Sequence, residues 1–475
     1  MTMSEMLING RFVKGASQAV VRGPFDDSVV GTAAEGGLAD LESAVDAAHH
    51  AFAKWRMAEP GHRQRLLNRI AALIREERED LAELLTDEVG KPIVWSLAEV
   101  DRMALTFSLS AEEAGLGPRE DLDLGFDPRG AGYQCVVERM PLGVVFGIVP
   151  YNWPFNLAAH KVGPAIASGN AIVLKTSPLA PLSTLTLGRI IHDAGCPAGV
   201  VNIVNASACD TQSALEDERV KMLSFTGSAA VGWKLKSLFP NRRTILELGG
   251  DASVLVFADA DLNAAVPKIV SGGYGYAGQI CISVQHVRVE RSIYDAVRER
   301  LIRATEACPT GDPRDVSTVC GPVINVANAD RVTSWIQEAV DAGASVIAGG
   351  ARQGTMLRPT LLEGVPSGVR LAHEEVFGPV MTLTPFDDLQ EAIDQVNGSE
   401  YGIQCGVFTT AASTADACFD ALEVGGVVIN DVPTLRFDNM PYGGVKRSGI
   451  GREGVRYAMA EMTEPKTRVE RAGTL

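Results

Sequence analysis

One cysteine and one glutamate in the sequence have neighbours that suit covalent catalysis. Cys281 ends the run Tyr276-Ala-Gly-Gln-Ile-Cys281, between a glycine-rich apolar segment and a predicted strand at Val287–Glu290. Glu247 ends another predicted strand, and the glycines of Glu247-Leu-Gly-Gly250 let other backbone approach closely while the carboxylate faces a cleft. The ordinary alternatives are a small buried cysteine of the hydrophobic core and a strand end followed by a turn.

Two further strand ends carry groups that suit a nucleotide. Lys175 ends a predicted strand, where its ammonium could bond ribose hydroxyls. Thr226-Gly227-Ser228 ends another strand and opens a helix, whose free N–H groups suit a pyrophosphate. No GxGxxG fingerprint follows any predicted strand, so the standard dinucleotide turn is absent. Taken singly, such a turn is more often only a helix N-cap, and a lysine is more often a solvated surface charge.

The elements that must position these residues alternate along the chain from Val144 onwards. Strands are predicted at Val144–Val149, Ala171–Lys175, Val200–Val204, Met222–Phe225 and Thr244–Glu247. Helices fit between them near Leu157–Ala167, Leu182–Ala194 and Ala230–Leu238. This alternation predicts an α/β fold with a parallel sheet, helices on both faces and ligands beyond the carboxyl ends of the strands. A second α/β pattern, from Ser253 to about Gly426, predicts a second domain.

The sequence before Val144 is of a different kind. Amphipathic helical patterns run from Leu41 to Trp55 and from Leu66 to Leu84, and they predict packing scaffold. The segment Asp121–Glu138 mixes glycine, proline and charge and then alternates weakly, as a hairpin leaving the main body would. The uncharged stretch Met140–Ala159 has the length of a membrane span, but its prolines favour a buried strand that enters a structured loop.

The amino-acid composition limits the classes of function that the protein can have. A chain of 475 residues favours two large domains. The net charge of −16 and the pI near 5.0 argue against nucleic-acid partners and anionic membranes. No signal peptide is recognised. The eight cysteines form no CxxC pair and only seven histidines are present, so the usual zinc spacings are excluded and a cytoplasmic protein with reduced thiols is expected.

A series of motifs in order resembles the aldehyde dehydrogenase superfamily from Ile8-Asn-Gly10 to Lys466-Thr467. The motifs are Gly147-Ile-Val-Pro-Tyr-Asn-Trp-Pro154 with its Asn152, Lys175, Phe225-Thr-Gly-Ser228, Glu247-Leu-Gly-Gly250, Gly278-Gln-Ile-Cys281, Glu374-Glu-Val-Phe-Gly-Pro379 and Tyr442-Gly-Gly-Val-Lys-Arg-Ser-Gly449. The resemblance implies a Rossmann-like cofactor domain, an α/β catalytic domain and a small bridging oligomerisation element. The expected bounds are 1–116 and 139–250 for the cofactor domain, 251–430 for the catalytic domain, 117–138 and 464–475 for the oligomerisation element, and 431–463 for a substrate-anchor loop and C-terminal segment.

The resemblance also implies a mechanism. Cys281 would attack the aldehyde carbon as a thiolate, and Asn152 together with the Cys281 backbone N–H would hold the oxyanion of the thiohemiacetal. After oxidation to a thioester, Glu247 would activate the water that hydrolyses it. Lys161 and Glu453 match the family's proton-relay positions, and an ordinary buried ion pair is the alternative for them.

NAD and NADP are the cofactors that the resemblance implies. The residues carried over as cofactor contacts are Ile148, Pro150, Lys175, Ser177, Pro178, Ser228, Leu248, Gly249, Glu375 and Phe377. The family's Lys-Pro-x-Glu motif reads Lys175-Thr-Ser-Pro178 here, so the glutamate that would repel a 2′-phosphate is missing. Two other departures are a turn without glycine at Asn205-Ala-Ser-Ala208 and Asp251 in place of a lysine.

The substrate is expected to be a small polar, hydroxylated or anionic aldehyde. Ile280 and Ile282 flank the nucleophile and make the nearby pocket apolar, whereas Arg102, His160 and Arg436 are possible polar contacts. Tyr442 completes the expected substrate-binding residues. The run Arg436-Phe-Asp-Asn-Met-Pro441 resembles the branch that contains lactaldehyde, succinate-semialdehyde and non-phosphorylating glyceraldehyde-3-phosphate dehydrogenases. For each arginine taken alone, a surface ion pair is the alternative.

Two competing classes remain at the level of the sequence. One is a dehydrogenase that passes the acyl group to coenzyme A, which Glu247 disfavours because such relatives commonly lack it. The other is a catalytically silent structural or binding relative, which Cys281, Asn152 and Glu247 disfavour. The family's bridging element pairs between subunits, so a homodimer or homotetramer is expected.

Overall fold

An eight-stranded sheet lies at the centre of one half of the computed structural model, which describes residues 3–116 and 119–471. Its strands, in spatial order, are Gly449–Ile450, Arg243–Glu247, Val220–Thr226, Val144–Ile148, Ala171–Lys175, Val201–Val204, Met6–Ile8 and Arg11–Val13. The middle five pair in parallel, and an antiparallel strand follows on either side of them. All five strands predicted from the sequence are present, and their ends differ from the prediction by at most two residues.

Helices pack against this sheet, and its parallel strands are therefore buried apolar runs. The predicted helices are observed at Pro154–Ser168, Pro181–Asp193 and Ala229–Leu238. The first begins at Pro154, earlier than expected, because a proline in the first turn sacrifices no helical hydrogen bond. The stretch Met140–Ala159 is therefore a buried strand, a short loop and a helix start. Within the described ranges, no helix is long and apolar enough to span a membrane.

A second sheet, with seven strands, confirms the α/β pattern predicted after Ser253. Its strands, in spatial order, are Ser345–Ala348, Thr360–Glu363, Val380–Phe386, His286–Glu290, Ser253–Val256, Gln404–Phe408 and Gly426–Ile429. All pair in parallel except the first. Its helices are Leu262–Tyr274, Tyr294–Glu306, Val326–Asp341, Leu389–Asn397 and Ala412–Ala421. A separate apolar core lies under this sheet.

Within the described residues, four α-helices precede the strand Val144–Ile148, at Leu38–Trp55, Pro60–Glu76, Arg78–Val89 and Ile93–Leu116. The apolar pattern from Leu66 to Leu84 therefore spans two helices, which separate at Glu77. Periodicity alone could not show this break, because the apolar spacing continues across it. The last helix packs against Pro60–Glu76 and Pro154–Ser168, and so connects this scaffold to the sheet.

The expected hairpin is observed as part of a three-stranded antiparallel sheet. Its strands are Thr463–Arg471, Tyr133–Pro141 and Arg119–Leu122. Residues 117–118 and 472–475 of the expected oligomerisation element lie outside the described residues. The remaining strands are Met3–Ser4, Val29–Glu35 and Ser17–Arg22 in one small sheet, Arg352–Gln353 with Met356–Leu357, and Tyr401–Gly402 with Val445–Lys446. Short helices occur at Ala208–Ala214 and Val455–Glu461.

Candidate active site

The functional side chains gather where strands of the two sheets end. Lys175, Thr226 and Glu247 are the last residues of three parallel strands, so they lie at one edge of the eight-stranded sheet. Asn152 lies in the loop that follows a fourth strand, Val144–Ile148. Loops of the second sheet bring Cys281, Glu375 and Arg436 to the same place. All of these residues except Lys175 line a cavity of about 450 Å³.

A left-handed turn delivers Cys281 to this cavity. Tyr276, Ala277 and Gly278 have φ values of 51°, 53° and 66°, a conformation that costs about 1–2 kcal/mol for each residue with a side chain. Gly278 is also required because a Cβ there would collide with the carbonyl oxygen of Gly378. The chain then turns to present Cys281 between the buried Ile280 and Ile282. The apolar flanks expected from the sequence are therefore observed.

The Cys281 thiol has one direct polar contact within the described part of the chain. Its Sγ lies 3.0 Å from the Tyr442 hydroxyl. Burial raises the pKa of Cys281 to about 11, although the Tyr442 hydrogen bond and the Arg436 charge act in the opposite direction. The resting sulfur is therefore a thiol, and it needs a base or a change in its surroundings to become the nucleophile.

Glu247 is a buried carboxyl group without a hydrogen bond. It is 2% exposed, and among the described residues neither of its oxygens has a partner. Burial and the neighbouring Glu453 carboxylate raise its pKa well above the ordinary value. An orphaned buried carboxyl is rare in folded proteins, and here it lines the cavity beside Cys281. Its environment suits a group that takes a proton from water.

Asn152 is fixed against the loop of the nucleophile. Its Nδ2 donates to the backbone carbonyl of Gln279, at 2.9 Å. The amide nitrogen has a second hydrogen, so one donor is left for a ligand in the cavity that Asn152 lines. A free amide donor therefore lies in the cavity that Cys281 also lines.

Lys161 and Glu453 form a buried ion pair, with 3.1 Å between Nζ and Oε1. Glu453 also accepts from Arg436 at 3.1 Å. Burial alone would raise the pKa of Glu453, but Lys161 and Arg436 hold it at about 2. Glu453 is therefore ionised at neutral pH. The ion pair and the proton relay, the two alternatives that the sequence left open, both require this contact.

Asp438 is a functional neighbour that sequence reasoning missed. It is 3% exposed and accepts from Arg102 at 2.7 Å and from His160 Nε2 at 2.9 Å. Burial would raise its pKa, but the hydrogen bonds from His160 and Arg102 hold the pKa well below the ordinary range. His160 does not line the cavity, whereas Arg102 does. Burial and the Arg436 charge lower the pKa of His160, so its ring is neutral at pH 7.

Glu99 and Lys91 form a second group that sequence reasoning missed, next to the loop that carries Asn152. Their fully buried ion pair lies under Trp153, whose ring centroid is 3.9 Å from the Lys91 ammonium. The other oxygen of Glu99 accepts from the backbone N–H of Phe155 at 2.9 Å and of Asn156 at 3.1 Å. These groups cap the helix that follows Asn152, so they hold that loop in place.

The other end of the cavity suits a nicotinamide nucleotide. Leu248, Gly249, Glu375 and Phe377 line it, and a Cβ on Gly249 would collide with the Glu375 carboxylate. Burial raises the pKa of Glu375 to about 8. Lys175 is buried, which lowers its pKa to about 8, and it has no ion-pair partner among residues 3–116 and 119–471. A buried cation without a partner fits an oxygen-rich ligand.

The remaining cofactor residues expected from the sequence divide into two groups. Pro150, Ser177 and Ser228 line the same cavity. Ile148, Lys175 and Pro178 do not line it, and Pro178 is exposed to solvent. The turn without glycine at Asn205 continues into the short helix Ala208–Ala214, whose N-cap is Ser207.

Known proteins share this sequence and arrangement. The aldehyde dehydrogenase family model matches residues 12–468. A 3-sulfolactaldehyde dehydrogenase from Priestia aryabhattai is 39% identical over 427 residues, which cover 90% of this chain and 88% of that protein. The structure of aldehyde dehydrogenase 21 from Physcomitrella patens, in complex with the reaction product succinate, is 36% identical with a TM-score of 0.97, and the match covers 100% of this chain and 99% of that one.

A second solved structure connects the site to its nucleotide. The NADP-dependent glyceraldehyde-3-phosphate dehydrogenase from Bacillus halodurans C-125, complexed with NADP, is 32% identical with a TM-score of 0.96, and both chains are covered completely. These findings confirm the family and the α/β fold that the motifs predicted. The chain belongs to the aldehyde dehydrogenase family and is an oxidoreductase that acts on aldehydes with NAD(P).

Proposed function

We propose that the enzyme oxidises a small aldehyde that carries an anionic or hydroxylated group. The observation that carries this proposal is the Arg436 guanidinium, whose side chain is 6% exposed and lines the cavity next to Cys281. Its Nε has no hydrogen-bond partner within the described ranges. An unpaired N–H of a buried cation is costly, and an acidic or hydroxyl group of a substrate would satisfy it. The sulfonated, carboxylate and phosphate compounds named for the related proteins support the same class.

Arg102 is a weaker candidate for the same contact. Asp438 already accepts from both its Nε and one terminal nitrogen, in a two-point ion pair. Its guanidinium also lies 5.2 Å from the Trp153 ring centroid. We therefore assign the main substrate contact to Arg436 and a supporting one to Arg102, with His160 orienting Asp438. Among the other cavity-lining residues, Ile280, Ile282 and Tyr442 would contact the aldehyde end of the substrate.

We expect Arg436→Met to lower kcat/KM for succinate semialdehyde, with a loss of transition-state stabilisation of ~1–3 kcal/mol. The same change should have little effect on kcat/KM for butanal. The two aldehydes have equally long chains, so their ratio reports the charge at the tail. The measurement is a comparison of initial rates for both aldehydes, in the variant and in the unmodified enzyme. Arg447→Met is the control, because that arginine is half-exposed and pairs with Glu400. Equal losses for both aldehydes would make Arg436 a structural residue.

The chemistry that we propose is covalent catalysis at Cys281. The thiolate attacks the aldehyde carbon, and the Asn152 amide with the Cys281 backbone N–H holds the oxyanion that forms. The nicotinamide, when bound, supplies the acceptor for the hydride. Glu247 then removes a proton from the water that hydrolyses the thioester. The Lys161–Glu453 ion pair joins the helix Pro154–Ser168 to the loop that carries Glu453. The Glu453 carboxylate favours proton uptake by Glu247, and Lys161 acts in the opposite direction.

We expect the enzyme to accept NADP in addition to NAD. Because residue 178 is a proline, no carboxylate at this position repels the 2′-phosphate of NADP. The unpaired Lys175 ammonium and the Ser177 hydroxyl would bind that phosphate. Pro178→Glu should raise KM for NADP by at least roughly fivefold, ~1 kcal/mol, and leave KM for NAD nearly unchanged or lower. Leu179→Glu is the control, since it adds the same charge at the next exposed residue. Strict NAD dependence of the unmodified enzyme would contradict the assignment.

The same assignment has a consequence for pH. The lowered pKa of Lys175, about 8, means that its ammonium loses charge as the pH rises past that value. Preference for NADP over NAD should therefore be greatest below pH 8 and fall above it. Steady-state KM values for both nucleotides between pH 7 and about 9 would measure this change.

The three-stranded sheet is proposed as the element that joins subunits into a homodimer or homotetramer. Leu122, Phe126, Tyr133 and Val469 expose apolar surface on it or beside it, and Phe126 is 97% exposed. Burial of this surface against a second copy would remove it from water. We also propose the domain bounds expected from the sequence and a cytoplasmic location.

A further inference from the structure

The contact between Tyr442 and Cys281 is not explained by substrate binding alone. The Tyr442 hydroxyl oxygen lies 3.0 Å from Sγ, and within the described part of the chain that hydroxyl has no other hydrogen-bond partner. Tyr442 is 3% exposed, so water does not compete for the hydroxyl from the open surface. A phenol held at this distance from the reacting atom can act on the sulfur in every step in which its charge changes.

Two backbone hydrogen bonds and one ring contact hold Tyr442 in this position. Its backbone N–H donates to the Glu453 carbonyl at 3.0 Å, and its own carbonyl accepts from the Glu453 N–H at 2.7 Å. The Arg436 guanidinium carbon lies 3.8 Å from the ring centroid, in a cation–π contact. A fixed donor does not have to be ordered when the thiolate forms, so its hydrogen bond is available without reorganisation.

The direction of this hydrogen bond follows from which group ionises first. A free thiol is ordinarily more acidic than a phenol, and burial raises the pKa of both Cys281 and Tyr442. The hydroxyl therefore keeps its proton when the thiol loses its own. The charged or titratable groups that face Cys281 are Tyr442, Glu375, Arg436 and Glu247, and only Tyr442 makes a hydrogen bond to Sγ among the described residues.

We propose that Tyr442 is a catalytic residue that donates a hydrogen bond from its hydroxyl to the Cys281 thiolate. This inference rests on the thioester chemistry proposed above. The bond is strongest when the sulfur is anionic, and it weakens when the sulfur is bonded to carbon. Tyr442 therefore stabilises the thiolate before attack and again when the thiolate is released.

Tyr442 has its second role when the product is released. Water adds to the thioester carbon and gives its proton to Glu247, and the C–S bond then breaks with its electron pair on Sγ. The Tyr442 O–H donates to that sulfur but keeps its own proton. The carboxylic acid leaves, and the thiolate remains in contact with the hydroxyl. No oxidant or other reactant enters this step.

The test is the pH profile of Cys281 alkylation by iodoacetamide, followed by mass spectrometry of the peptide that carries Cys281. Tyr442→Phe removes only the hydroxyl, and it should raise the midpoint of the profile by about one pH unit. The rate below the midpoint should fall only about threefold, because a less stabilised thiolate is more nucleophilic. Tyr274→Phe is the matched control: it removes a buried hydroxyl that contacts Thr305 and Thr360 instead, and the profile should not move.

An unchanged or lowered midpoint in the Tyr442→Phe variant would overturn the proposal. If that variant does not fold, 3-fluorotyrosine incorporated at position 442 tests the same bond. Its more acidic phenol is a stronger donor, so the midpoint should fall, and a midpoint that stays or rises contradicts the proposal. The alkylation uses no aldehyde, so its outcome is independent of whether Cys281 forms a thioester.

Discussion

Cys281→Ala should abolish aldehyde oxidation, with a loss on the order of 10⁴-fold or more in kcat. The alanine cannot form the bond to the aldehyde carbon, and among the described residues no other cysteine lines the cavity. Nucleotide binding should survive, because Glu375, Phe377 and Lys175 are unchanged. The measurements are NAD(P)H formation from the aldehyde panel and titration of protein fluorescence with each nucleotide.

Cys209→Ala is the control for this experiment. Cys209 is an exposed free cysteine at the start of the short helix Ala208–Ala214, so its loss should leave turnover unchanged. A Cys281→Ala variant with substantial turnover would exclude the thioester mechanism. A variant that loses nucleotide binding as well would indicate that the left-handed turn before residue 281 had changed.

Glu247→Gln should separate the two halves of the reaction. The glutamine cannot take a proton from water, so hydrolysis of the thioester should slow by roughly a hundredfold or more. Attack and oxidation do not need this base once the thiolate has formed, so a burst of NAD(P)H of about one equivalent should precede the slow phase. Rapid mixing gives the burst, and the mass of the peptide that carries Cys281 gives the trapped acyl group.

The pH dependence of the unmodified enzyme is a second test of the role of Glu247 as a base. Its raised pKa means that the carboxyl is largely protonated when the pH is low, and only the ionised form can accept a proton. Thioester hydrolysis should therefore rise with pH until the carboxyl is ionised, and the Glu247→Gln variant should lack this rise. Glu299→Gln, an exposed change on the helix Tyr294–Glu306, is the control.

Two outcomes would contradict the role of Glu247. If no acyl-enzyme accumulates in the variant, the carboxyl is needed earlier, for deprotonation of Cys281. If added coenzyme A restores turnover fully in the unmodified enzyme but water alone does not support it, the acyl acceptor is the thiol of coenzyme A and not water. Assays with and without coenzyme A distinguish these outcomes.

The sequence alone determined the parallel strands and the chemistry at their ends. Buried apolar runs of four to seven residues alternate with helical patterns, and this local signal fixes the strands within two residues. Because parallel strands end at the same edge of a sheet, Lys175, Thr226 and Glu247 had to lie together. The ordered motifs then assigned Cys281 and Asn152 to the same site, which the geometry brings together.

Only the tertiary structure decided how the charged groups pair. Asp438 lies 336 residues from Arg102 and 278 from His160 along the chain, so no local pattern could reveal that it neutralises one and orients the other. The contact between Cys281 and Tyr442 spans 161 residues. Ion pairs and hydrogen bonds depend on distances of a few ångströms between packed elements, and the burial that sets their strength is a property of the whole fold. The residue types were therefore visible in the sequence. The sequence did not show that Arg436 has an unpaired guanidinium nitrogen or that Tyr442 is the donor to sulfur.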